Sequence, residues 1–373
     1  MRIAVNAQKL VKDKMEGLGW FAYETLKRMV KSHPEHEFTF IFGKGIERDF
    51  IFAENVKAIN IGPPYFRPMA WYLKFEYLLP RYINRNNFDL FLSPDGWSST
   101  KIKIKTVSVI HDINFEHYPE FLQKSFCFYY KHFFRKWAHH SMRLATVSEY
   151  SKWDIAKTYG ISEDKIDVLY NGASNIYSPV EKHIIESTRN KYTEGFPYFV
   201  FVGALHPRKN IINLFKAFDK FKLSDNQNIK LVIVGERFYW NKQTEEAFNS
   251  LKYQSDIIFT GRLSQEELKQ VLGSSLALTY VSLFEGFGIP LVEAMNCEVP
   301  IITSNTTSMP EIAGDAAIIV DPTSVDEISK AMSEIATNEK LRSKLIEAGN
   351  VRKLDFSWDL SAERFWKTIE KVL

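Results

Sequence analysis

The sequence has few of the features that mark membrane-spanning, disulfide-rich or nucleic-acid-binding proteins. Its 373 residues include only two cysteines, Cys127 and Cys297, which lie far apart in sequence and form no disulfide framework. The longest stretch without a charged residue, 270–284, is too short for a membrane-spanning helix, which needs about 20 apolar residues. Positive and negative charges nearly balance, at 48 Lys and Arg against 45 Asp and Glu, so charge gives no argument for a nucleic acid partner.

Composition and length also indicate where the protein is found and how many domains it has. The apolar part of the N-terminus is too short for a signal peptide, and the scarcity of cysteine favours a reducing compartment, so we expect a cytoplasmic protein. Hydrophobic residues make up 45% and charged residues 25%, a globular composition that excludes disorder as the main state. At about 150 residues per domain, the length predicts two domains.

Short apolar runs bounded by turn residues recur along the chain and predict strands. In the first half they are 3–6, 38–42, 56–59, 90–93, 107–110, 144–147 and 166–169, and in the second half 198–202, 230–234, 257–260, 276–280, 300–303 and 317–320. Many are nearly all apolar, which is typical of parallel strands buried on both faces. Segments with helical period lie between them at 18–30, 211–221, 265–272 and 325–335. This alternation predicts an α/β protein with doubly wound parallel sheets.

The pattern breaks once, near the middle of the chain. Residues 170–173 read YNGA, a turn signal, and residues 178–197 show no strand pattern. We therefore place an N-terminal domain at 1–172 and a C-terminal domain at 173–357. A last helix at 358–373 could pack back on the first domain. Two open α/β domains would leave a cleft between them, where ligands commonly bind.

The most informative local sequence follows the predicted strand 276–280 and reads EGFGIPLVE at residues 285–293. Its glycines permit close approach of a ligand, and Pro290 suits the first position of a helix. The free N–H groups of a helix start attract phosphate. Glu285 would lie in the loop and Glu293 one turn into the helix, so the two carboxylates can face one cavity without touching.

The chemistry of that cavity follows from its charges. A carboxylate beside a phosphate site is repulsive unless it serves a neutral donor, so we expect Glu285 and Glu293 to bind hydroxyl groups of a ribose or a sugar. The alternative is a plain strand-to-helix turn with a capping acid. It fits poorly, because a capping box needs Ser or Thr at the cap and the residue before Pro290 is Ile289.

Other segments could contact phosphate. Arg208 and Lys209 lie immediately before the helical segment 211–221, where two cations oppose the helix dipole by about 0.3 to 1 kcal/mol each. Their placement makes better sense if an anion sits between them and the helix, although a solvated basic pair is the alternative. In the first half, residues 17–19 read GLG and open a helix from Trp20, but a lone pair of glycines may also be only a loop.

His111 follows the predicted strand 107–110, and the carboxyl ends of parallel strands are where ligands bind in such sheets. A structural histidine, with Asp112 capping the next helix, explains the same two residues equally well.

The segment 120–143 interleaves basic and aromatic residues. At about 100° per residue, Lys124, Lys131 and Arg135 share one helix face. The opposite face, which we expect to be buried, carries Phe126, Tyr130, Phe133 and Trp137. Phe121 and Phe128 would lie beside the basic face and could be exposed. This arrangement suits an anionic membrane surface or a lipid-linked acceptor, and a core helix with a solvated cationic side is at least as good an interpretation.

The two glutamates with seven residues between them closely resemble the E-x7-E signature of retaining GT-B glycosyltransferases of family 4, the mannosyltransferase-like group 1 enzymes. Other segments that resemble this family are GALHPRKN at 203–210, FTG at 259–261, SNTTSMPE at 304–311, DP at 321–322, HD at 111–112, YPE at 118–120, VSEYS at 147–151 and YNG at 170–172. One departure is Ala204, since many relatives have Arg directly after the glycine that is here Gly203.

The resemblance implies two Rossmann-like domains facing across a cleft and transfer of a mannose- or glucose-type hexose, with retention, from a GDP- or UDP-linked sugar. The acceptor would be a glycan or lipid-linked glycan in cell-surface polysaccharide synthesis. No cofactor is expected. The D-x-D pair that marks the other large glycosyltransferase fold is missing, as are H-E-x-x-H and C-x-x-C spacings, so the resemblance implies metal-independent activity.

The resemblance also assigns roles to residues. The catalytic set would be Glu285, His111, Lys209 and Arg208, with the two cations on the diphosphate and His111 near the transferred sugar. The residues implied for donor binding are Gly19, Arg208, Lys209, Glu285, Gly286, Phe287, Gly288, Ile289, Leu291 and Glu293. Within that set Glu293 would bind the ribose, Glu285 the sugar hydroxyls, and Gly19 the phosphates from the opposite wall. Asp112 would lie on the acceptor side.

Two other classes of function stay open. One is a phosphorylase-type or sugar-nucleotide-modifying enzyme on the same two-domain frame. The other is a protein that binds a nucleotide sugar without transferring it. For the glycosyltransferase, the segment 120–143 could hold the cytoplasmic protein at the inner face of a membrane.

Overall fold

The computed structural model describes residues 1–12, 15–62, 68–224 and 227–373, which form two compact units. The first unit comprises Met1–Asn171 and Ser357–Leu373, and the second comprises Gly172–Phe356. Each unit contains one sheet, and the strand pairings among the described residues are all parallel.

The first unit is built on a seven-stranded sheet in the order β3-β2-β1-β4-β5-β6-β7. Its strands are β1 (Arg2–Asn6), β2 (Glu37–Phe42), β3 (Val56–Asn60), β4 (Leu90–Ser93), β5 (Lys105–Val109), β6 (Arg143–Thr146) and β7 (Ile166–Val168). The central strands are buried on both faces, as Ile3, Ala4 and Val5 of β1 show. A continuous apolar strand of this kind needs cover on each side of the sheet.

The helices between these strands are α1 (Gly17–Ser32), α2 (Pro68–Leu73), a π-helix (Lys74–Leu78), α3 (Leu79–Ile83), α4 (Asn114–His117), α5 (Lys124–His140) and α6 (Glu149–Tyr159). Short 3-10 turns cover Arg48–Phe50, Pro119–Phe121 and Glu163–Lys165. Local sequence sets the limits of α6: the Ser148 hydroxyl accepts the N–H of Ser151 at the start, and Gly160 ends the helix in the left-handed conformation.

The second unit is built on a six-stranded sheet in the order β10-β9-β8-β11-β12-β13. Its strands are β8 (Tyr198–Val202), β9 (Lys230–Val234), β10 (Ile257–Gly261), β11 (Ala277–Tyr280), β12 (Ile301–Ser304) and β13 (Ala317–Val320). Its helices are α7 (Lys182–Thr193), α8 (Ile211–Lys222), α9 (Lys242–Asn249), α10 (Gln265–Gly273), α11 (Ile289–Asn296), α12 (Met309–Ala313), α13 (Val325–Thr337) and α14 (Glu339–Arg352). Four 3-10 turns cover Pro207–Lys209, Gln254–Asp256, Gly314–Ala316 and Lys353–Asp355.

The last helix, α15 (Trp358–Glu370), belongs to the first unit. The ring of Phe365 lies 5.8 Å from that of Phe21 on α1, and the Ser361 hydroxyl donates to the carbonyl of Tyr170. The ammonium group of Lys371 lies 2.6 Å from a carboxylate oxygen of Asp167. The first sheet is therefore covered in part by residues that follow the whole second unit.

The two predicted parallel sheets are confirmed, and all thirteen predicted strands are present. In each sheet the strand order reverses once, between β1 and β4 in the first and between β8 and β11 in the second. The carboxyl ends of strands at such a reversal form the crevice where open α/β sheets bind ligands. Chemically competent side chains are therefore expected beyond Asn6 and Ser93 in one unit, and beyond Val202 and Tyr280 in the other.

Two local predictions are corrected in part. The helical segment predicted at 18–30 is confirmed as α1, but the helix begins at Gly17, so residues 17–19 form its first turn and it does not start at Trp20. On α5, the fully buried aromatic residues are Tyr129, Phe134 and Trp137, whereas Phe126, Tyr130 and Phe133 are only partly buried. The ring of Trp97 contacts that of Tyr130 as well as those of Tyr129, Phe134 and Trp137, and Tyr130 and Phe133 pack against the same core, so α5 covers the core with a wider face than the one predicted.

Candidate functional site

The turn after β8 places the side chains of Arg208 and Lys209 next to the segment at the end of β11. The His206 ring accepts the N–H of Arg208 at 3.2 Å, and Asn210 takes the left-handed conformation that ends the turn. The Asn210 amide donates to the carbonyls of Val281, at 3.0 Å, and Pro322, at 2.6 Å. These bonds tie the turn to the segment that follows β11.

Arg208, Lys209 and Glu285 form a compact ionic cluster with the Tyr280 hydroxyl. The Arg208 guanidinium lies 2.7 Å from one carboxylate oxygen of Glu285, and the Lys209 ammonium lies 2.5 Å from the other. The Tyr280 hydroxyl donates to Glu285 at 3.1 Å and accepts from Lys209. The Glu285 side chain is only 8% exposed. Each carboxylate oxygen thus has its own cation, and Tyr280, the last residue of β11, anchors the cluster to the sheet.

The electrostatics of this cluster fix its protonation. Burial by itself would raise the pKa of Glu285, but the charges of Arg208 and Lys209 and their hydrogen bonds outweigh burial and lower that pKa to about 2. The three side chains therefore carry one net positive charge. The sequence predicted cations and carboxylate with separate ligands, and the structure instead pairs them with one another.

The glycine-rich loop after Glu285 is held by the segment before α12. The Ser308 hydroxyl donates to the carbonyls of Glu285, at 2.9 Å, and Phe287, at 3.2 Å. Gly288 has a φ of 97°, and a Cβ there would lie 2.5 Å from the Met309 methyl group. Only glycine fits this position. The loop is therefore a rigid support for Glu285.

The helix α11 begins at Ile289, so Pro290 occupies its second position rather than the first. Gly286, Phe287 and Gly288 are buried, and the side chain of Leu291 is completely buried. The Leu291 N–H donates to the carbonyl of Gly288 at 3.0 Å. Side chains at the start of α11 thus pack into the unit, and the backbone of this loop is what the segment can offer a ligand.

Glu293, the second glutamate of the motif, has different neighbours. Its carboxylate is hydrogen-bonded to the Tyr177 hydroxyl, and burial raises the pKa of Glu293 to about 7. One turn further along α11, burial raises the pKa of the Cys297 thiol to about 12. The two carboxylates of the motif therefore differ in opposite directions: the pKa of Glu285 is lowered by its cations, and the pKa of Glu293 is raised by burial.

The predicted residues of the first unit lie at or near the carboxyl edge of its sheet. His111 follows β5, its Nε2 donates to the carbonyl of Pro94 at 2.9 Å, and its ring packs edge-on against Phe21 at 4.7 Å. Burial lowers the pKa of His111, so the imidazole is neutral and Nδ1 is an acceptor. Asp112 accepts the backbone N–H of Asn114, the first residue of α4, at 3.0 Å. The cap residue of α4 is Ile113, which makes no side-chain capping bond, so the structure does not confirm Asp112 as the helix cap.

Gly19 lies inside the first turn of α1 and is buried. A Cβ at this position would lie 2.9 Å from the carbonyl oxygen of Lys9, so a larger residue would push the helix away from that segment. Close packing of backbone against backbone already explains this glycine.

The sequence analysis missed a second polar cluster. Four side chains come together at the reversal of the first sheet: Asn6 at the end of β1, Gln8 just beyond it, Asp95 after β4, and Lys74 at the start of the π-helix. Asn6 and Asp95 carry a usable signal, because each is a polar residue at or just beyond the end of an apolar strand. Lys74 carries none, since its helix contributes no strand end.

One group of possible metal ligands is present in the described parts of the chain. His33, Glu35 and His36 place one ligand atom each within 4.8 Å of the others. They lie between α1 and β2, at the amino end of the strand, which is the edge of the sheet opposite the ligand-binding edge. Among the described residues, no helix is long and apolar enough to cross a bilayer.

Comparisons with known proteins agree with this architecture. The family model described as Glycosyltransferase Family 4 matches residues 15–174, and the model described as Glycosyl transferases group 1 matches residues 184–352. The O-antigen chain mannosyltransferase B of Escherichia coli is 25% identical over 366 residues, covering 95% of this chain and 96% of the relative. The O-antigen chain mannosyltransferase RfbU of Salmonella typhimurium is 30% identical over 292 residues, or 78% of this chain and 76% of RfbU.

Solved structures share the fold. Anabaena HepE, crystallised with UDP-glucose, has a TM-score of 0.76 at 15% identity, with 100% of both chains covered. WaaG, a glycosyltransferase involved in lipopolysaccharide biosynthesis, has a TM-score of 0.74 at 14% identity, with 98% of both chains covered. With two parallel sheets of the GT-B type, two matching family models and a relative at 30% identity, this chain belongs to the group 1 glycosyltransferases of family 4.

Proposed function

We propose that this enzyme is a retaining glycosyltransferase that moves a mannose- or glucose-type hexose from a nucleoside-diphosphate sugar to a glycan or lipid-linked glycan in cell-surface polysaccharide synthesis. The observation that carries the proposal is the buried Arg208–Lys209–Glu285 cluster at the strand reversal of the second sheet. Relatives named as O-antigen mannosyltransferases support the sugar and the pathway. We propose a GDP- or UDP-linked donor, whose diphosphate would meet the two cations of this cluster.

The cluster would bind the donor through its excess of positive charge. Two cations and one carboxylate leave a net charge of +1, and Arg208 is the most exposed of the three side chains. A diphosphate can share the guanidinium and ammonium groups with Glu285, because both cations have several N–H donors. As the bond to the sugar breaks, charge grows on the leaving diphosphate, and cations already fixed in place stabilise it.

The remaining roles follow the family pattern. Glu293 would accept the hydroxyl pair of the ribose, and Glu285 with the backbone of residues 286–288 would hold the sugar. In the first unit, His111 would face the transferred sugar through its neutral ring, with Asp112 on the acceptor side and Gly19 near the phosphates. The acceptor hydroxyl would attack from the face that the diphosphate leaves and would pass its proton to the departing phosphate. No side-chain nucleophile, metal ion or cofactor takes part in this scheme.

The test is release of nucleoside diphosphate from a panel of GDP- and UDP-sugars, with the anomeric configuration of the product read by NMR. We expect transfer with retention that EDTA does not abolish. Loss of turnover in EDTA with recovery in Mg²⁺ would contradict the metal-free scheme. Tight binding of a nucleotide sugar without turnover would indicate a binding protein instead, and phosphate-dependent cleavage of a glycan would indicate a phosphorylase.

Contact with a membrane is a further part of the proposal. The exposed apolar side chains include Phe128 on α5, at 71% exposure, and Met69 on α2, at 79%. Residues 121–143 contain no Asp or Glu, and Arg135 and Lys136 on α5 are exposed. Protruding apolar groups among cations suit an anionic bilayer surface.

Flotation with vesicles of anionic or neutral lipid tests this contact. We expect binding to anionic vesicles at low salt, weakened by Phe128→Ser and Arg135→Gln. The matched control is Trp153→Ser, which removes an exposed aromatic ring on α6 of the same unit. Equal flotation with neutral lipid, or none at low salt, would refute the membrane contact.

A further inference from the structure

A network of hydrogen bonds marks the strand reversal of the first sheet. Asp95 Oδ1 accepts from the Asn6 amide at 2.8 Å and from the Ser93 hydroxyl at 3.0 Å, and Oδ2 accepts from the Gln8 amide at 2.9 Å. All these donors are neutral. The Asp95 carboxylate is therefore well satisfied without a cation, at the place where open α/β sheets bind their ligands.

Lys74 brings a positive charge into this network without a direct ion pair among the described residues: the charge of Asp95 favours its ammonium form, and the charge of Lys9 opposes it. Its side chain is 8% exposed, and its polar partner among the described residues is the Gln8 side-chain oxygen, at 3.4 Å, a long hydrogen bond. None of the ion pairs found among the described residues includes Lys74. Burying an ammonium group in this way is costly, and burial lowers the pKa of Lys74 to about 8.

The surrounding backbone leaves space for this ammonium group. Gly43 follows β2, and a Cβ at Gly43 would lie 2.5 Å from Lys74 Nζ. A larger residue at this position would therefore displace the flexible end of Lys74 from where it meets Gln8. Lys74 also opens a π-helix, an uncommon element that is found frequently at functional sites.

The network adjoins the residue proposed to face the transferred sugar. The His111 ring donates to the carbonyl of Pro94, the residue directly before Asp95. A ligand that meets Lys74 would thus lie close to His111 on the same unit. Asp95 accepts several hydrogen bonds, whereas Lys74 makes one long hydrogen bond among the described residues. A ligand that adds a partner to Lys74 would therefore be an anion.

We infer that the Lys74 cluster, defined as Asn6, Gln8, Lys74 and Asp95, binds an anionic group, a phosphate or a carboxylate, on the acceptor substrate. This inference rests on the proposed transferase function and deepens it by naming the chemistry of the acceptor. Lys74 supplies the charge, Gln8 orients the ammonium group, and Asp95 holds Gln8. The anion could come from a lipid-linked phosphate or from an acidic sugar, and both offer the same chemistry to Lys74.

Binding can be tested without turnover. In the Arg208→Ala, Lys209→Ala background, which removes the cations of the second unit, calorimetry would measure the affinity for hexose 1-phosphate. We expect Lys74→Met to weaken this affinity at least tenfold, and Lys57→Met, a change at a lysine that is 67% exposed, to leave it unchanged. Lys74→Gln gives a second variant should the methionine disturb folding. Equal affinity with and without Lys74, or no binding while Lys74 is intact, would overturn the inference.

A transfer assay then separates the two sources of the anion. Acceptors that share one sugar but carry a lipid-linked phosphate, a uronic acid carboxylate or a neutral methyl group would be compared by kcat/KM. We expect a preference for one anionic acceptor over the neutral one, reduced at least tenfold by Lys74→Met. An unchanged preference would refute the role of Lys74. Absence of transfer from every nucleotide sugar would instead contradict the proposed function, and the phosphate titration would still test the cluster.

Discussion

The two units place buried charges at equivalent points of their sheets but balance them in different ways. In the second unit, Glu285 lies within 2.5 to 2.7 Å of both cations, so the cluster is electrostatically paired before any ligand arrives. In the first unit, Lys74 makes no ion pair with any described residue, and Asp95 is bonded by neutral donors. A ligand of the first cluster would complete it, whereas a ligand of the second must share cations that already have a partner.

This difference has an energetic consequence. Desolvated cations are costly unless they are paired, so Glu285 lets the second unit hold two cations in position without a ligand. In the first unit, Lys74 makes no ion pair with a described residue, and the more distant charge of Asp95 compensates it only in part. Changes that remove a charge should therefore have opposite effects on stability in the two clusters, and the predictions below depend on that contrast.

The largest effect is expected on catalysis in the paired cluster. Lys209→Ala should lower the rate of transfer at least about 100-fold, because a fixed charge at the leaving group is lost. Release of nucleoside diphosphate under saturating donor measures this rate. The matched control is Lys220→Ala on α8, a lysine that pairs with Asp326 on the surface. A rate within about threefold of the unmodified enzyme would remove Lys209 from the mechanism.

The next effect concerns acid stability. The folded-state pKa of Glu285 is about 2, against an ordinary value of 4.5, so its stabilising ionisation is present above pH 4.5 and is lost as the pH falls toward 2. At about 1.4 kcal/mol per pKa unit, the full loss is about 3 kcal/mol. Urea unfolding at pH 6 and pH 3 measures the free energy of unfolding of the protein and of Glu285→Gln. The difference between these two free energies should be about 2 kcal/mol smaller at pH 3 than at pH 6. A gap that stays constant would contradict the pairing.

Glu293 should respond to pH with the opposite sign. Its pKa is raised to about 7, so ionising it in the folded protein is unfavourable, and its contribution to stability falls as the pH rises from 4.5 to 7. Compared with Glu293→Gln, the protein should lose about 2 kcal/mol of unfolding free energy between pH 5 and pH 8. The same urea series measures it. A difference that grows with pH would show that Glu293 is paired as Glu285 is.

The smallest effect is expected at Lys74, and it is measured by making the same substitution in both clusters. Lys209→Met leaves Glu285 with one cation fewer and should lower the free energy of unfolding by about 3 kcal/mol. Lys74→Met removes a buried charge that has no acid partner and should raise it by about 1 kcal/mol at pH 7. Thermal unfolding of the two variants side by side measures the contrast. Destabilisation by both substitutions would mean that Lys74 is a structural residue after all.

Much of the fold could be predicted from the sequence, because each buried parallel strand corresponds to a short apolar run. The position of Glu285 could also be predicted, since it lies in a segment whose glycines and proline are typical of a strand-to-helix turn. The ion pairs of Glu285 with Arg208 and Lys209 could not be predicted, because the left-handed conformation of Asn210 determines where these two side chains lie. That conformation depends on carbonyls at Val281 and Pro322, far away in sequence.

The first cluster shows the limit of local patterns. Gln8 and Lys74 are 66 positions apart and meet only in the folded chain, where the π-helix lies next to the segment that follows β1. The pairing of β1 with β4 brings Gln8 to Asp95 in the same way. The buried side of α5 was misjudged for a related reason. A face calculated from one helix alone ignores Trp97, whose large ring widens the surface that α5 must cover.

The packing of α15 has a consequence for how the enzyme is made. Phe21 contacts His111 on one side and both Phe365 and Trp358 of α15 on the other, so the support of His111 is shared between the earliest and the latest parts of the polypeptide. A ribosome therefore translates the entire second unit before it supplies the helix that finishes the first. Until then the nascent first unit carries an uncovered apolar surface over α1, and its half of the enzyme matures last although it is synthesised first.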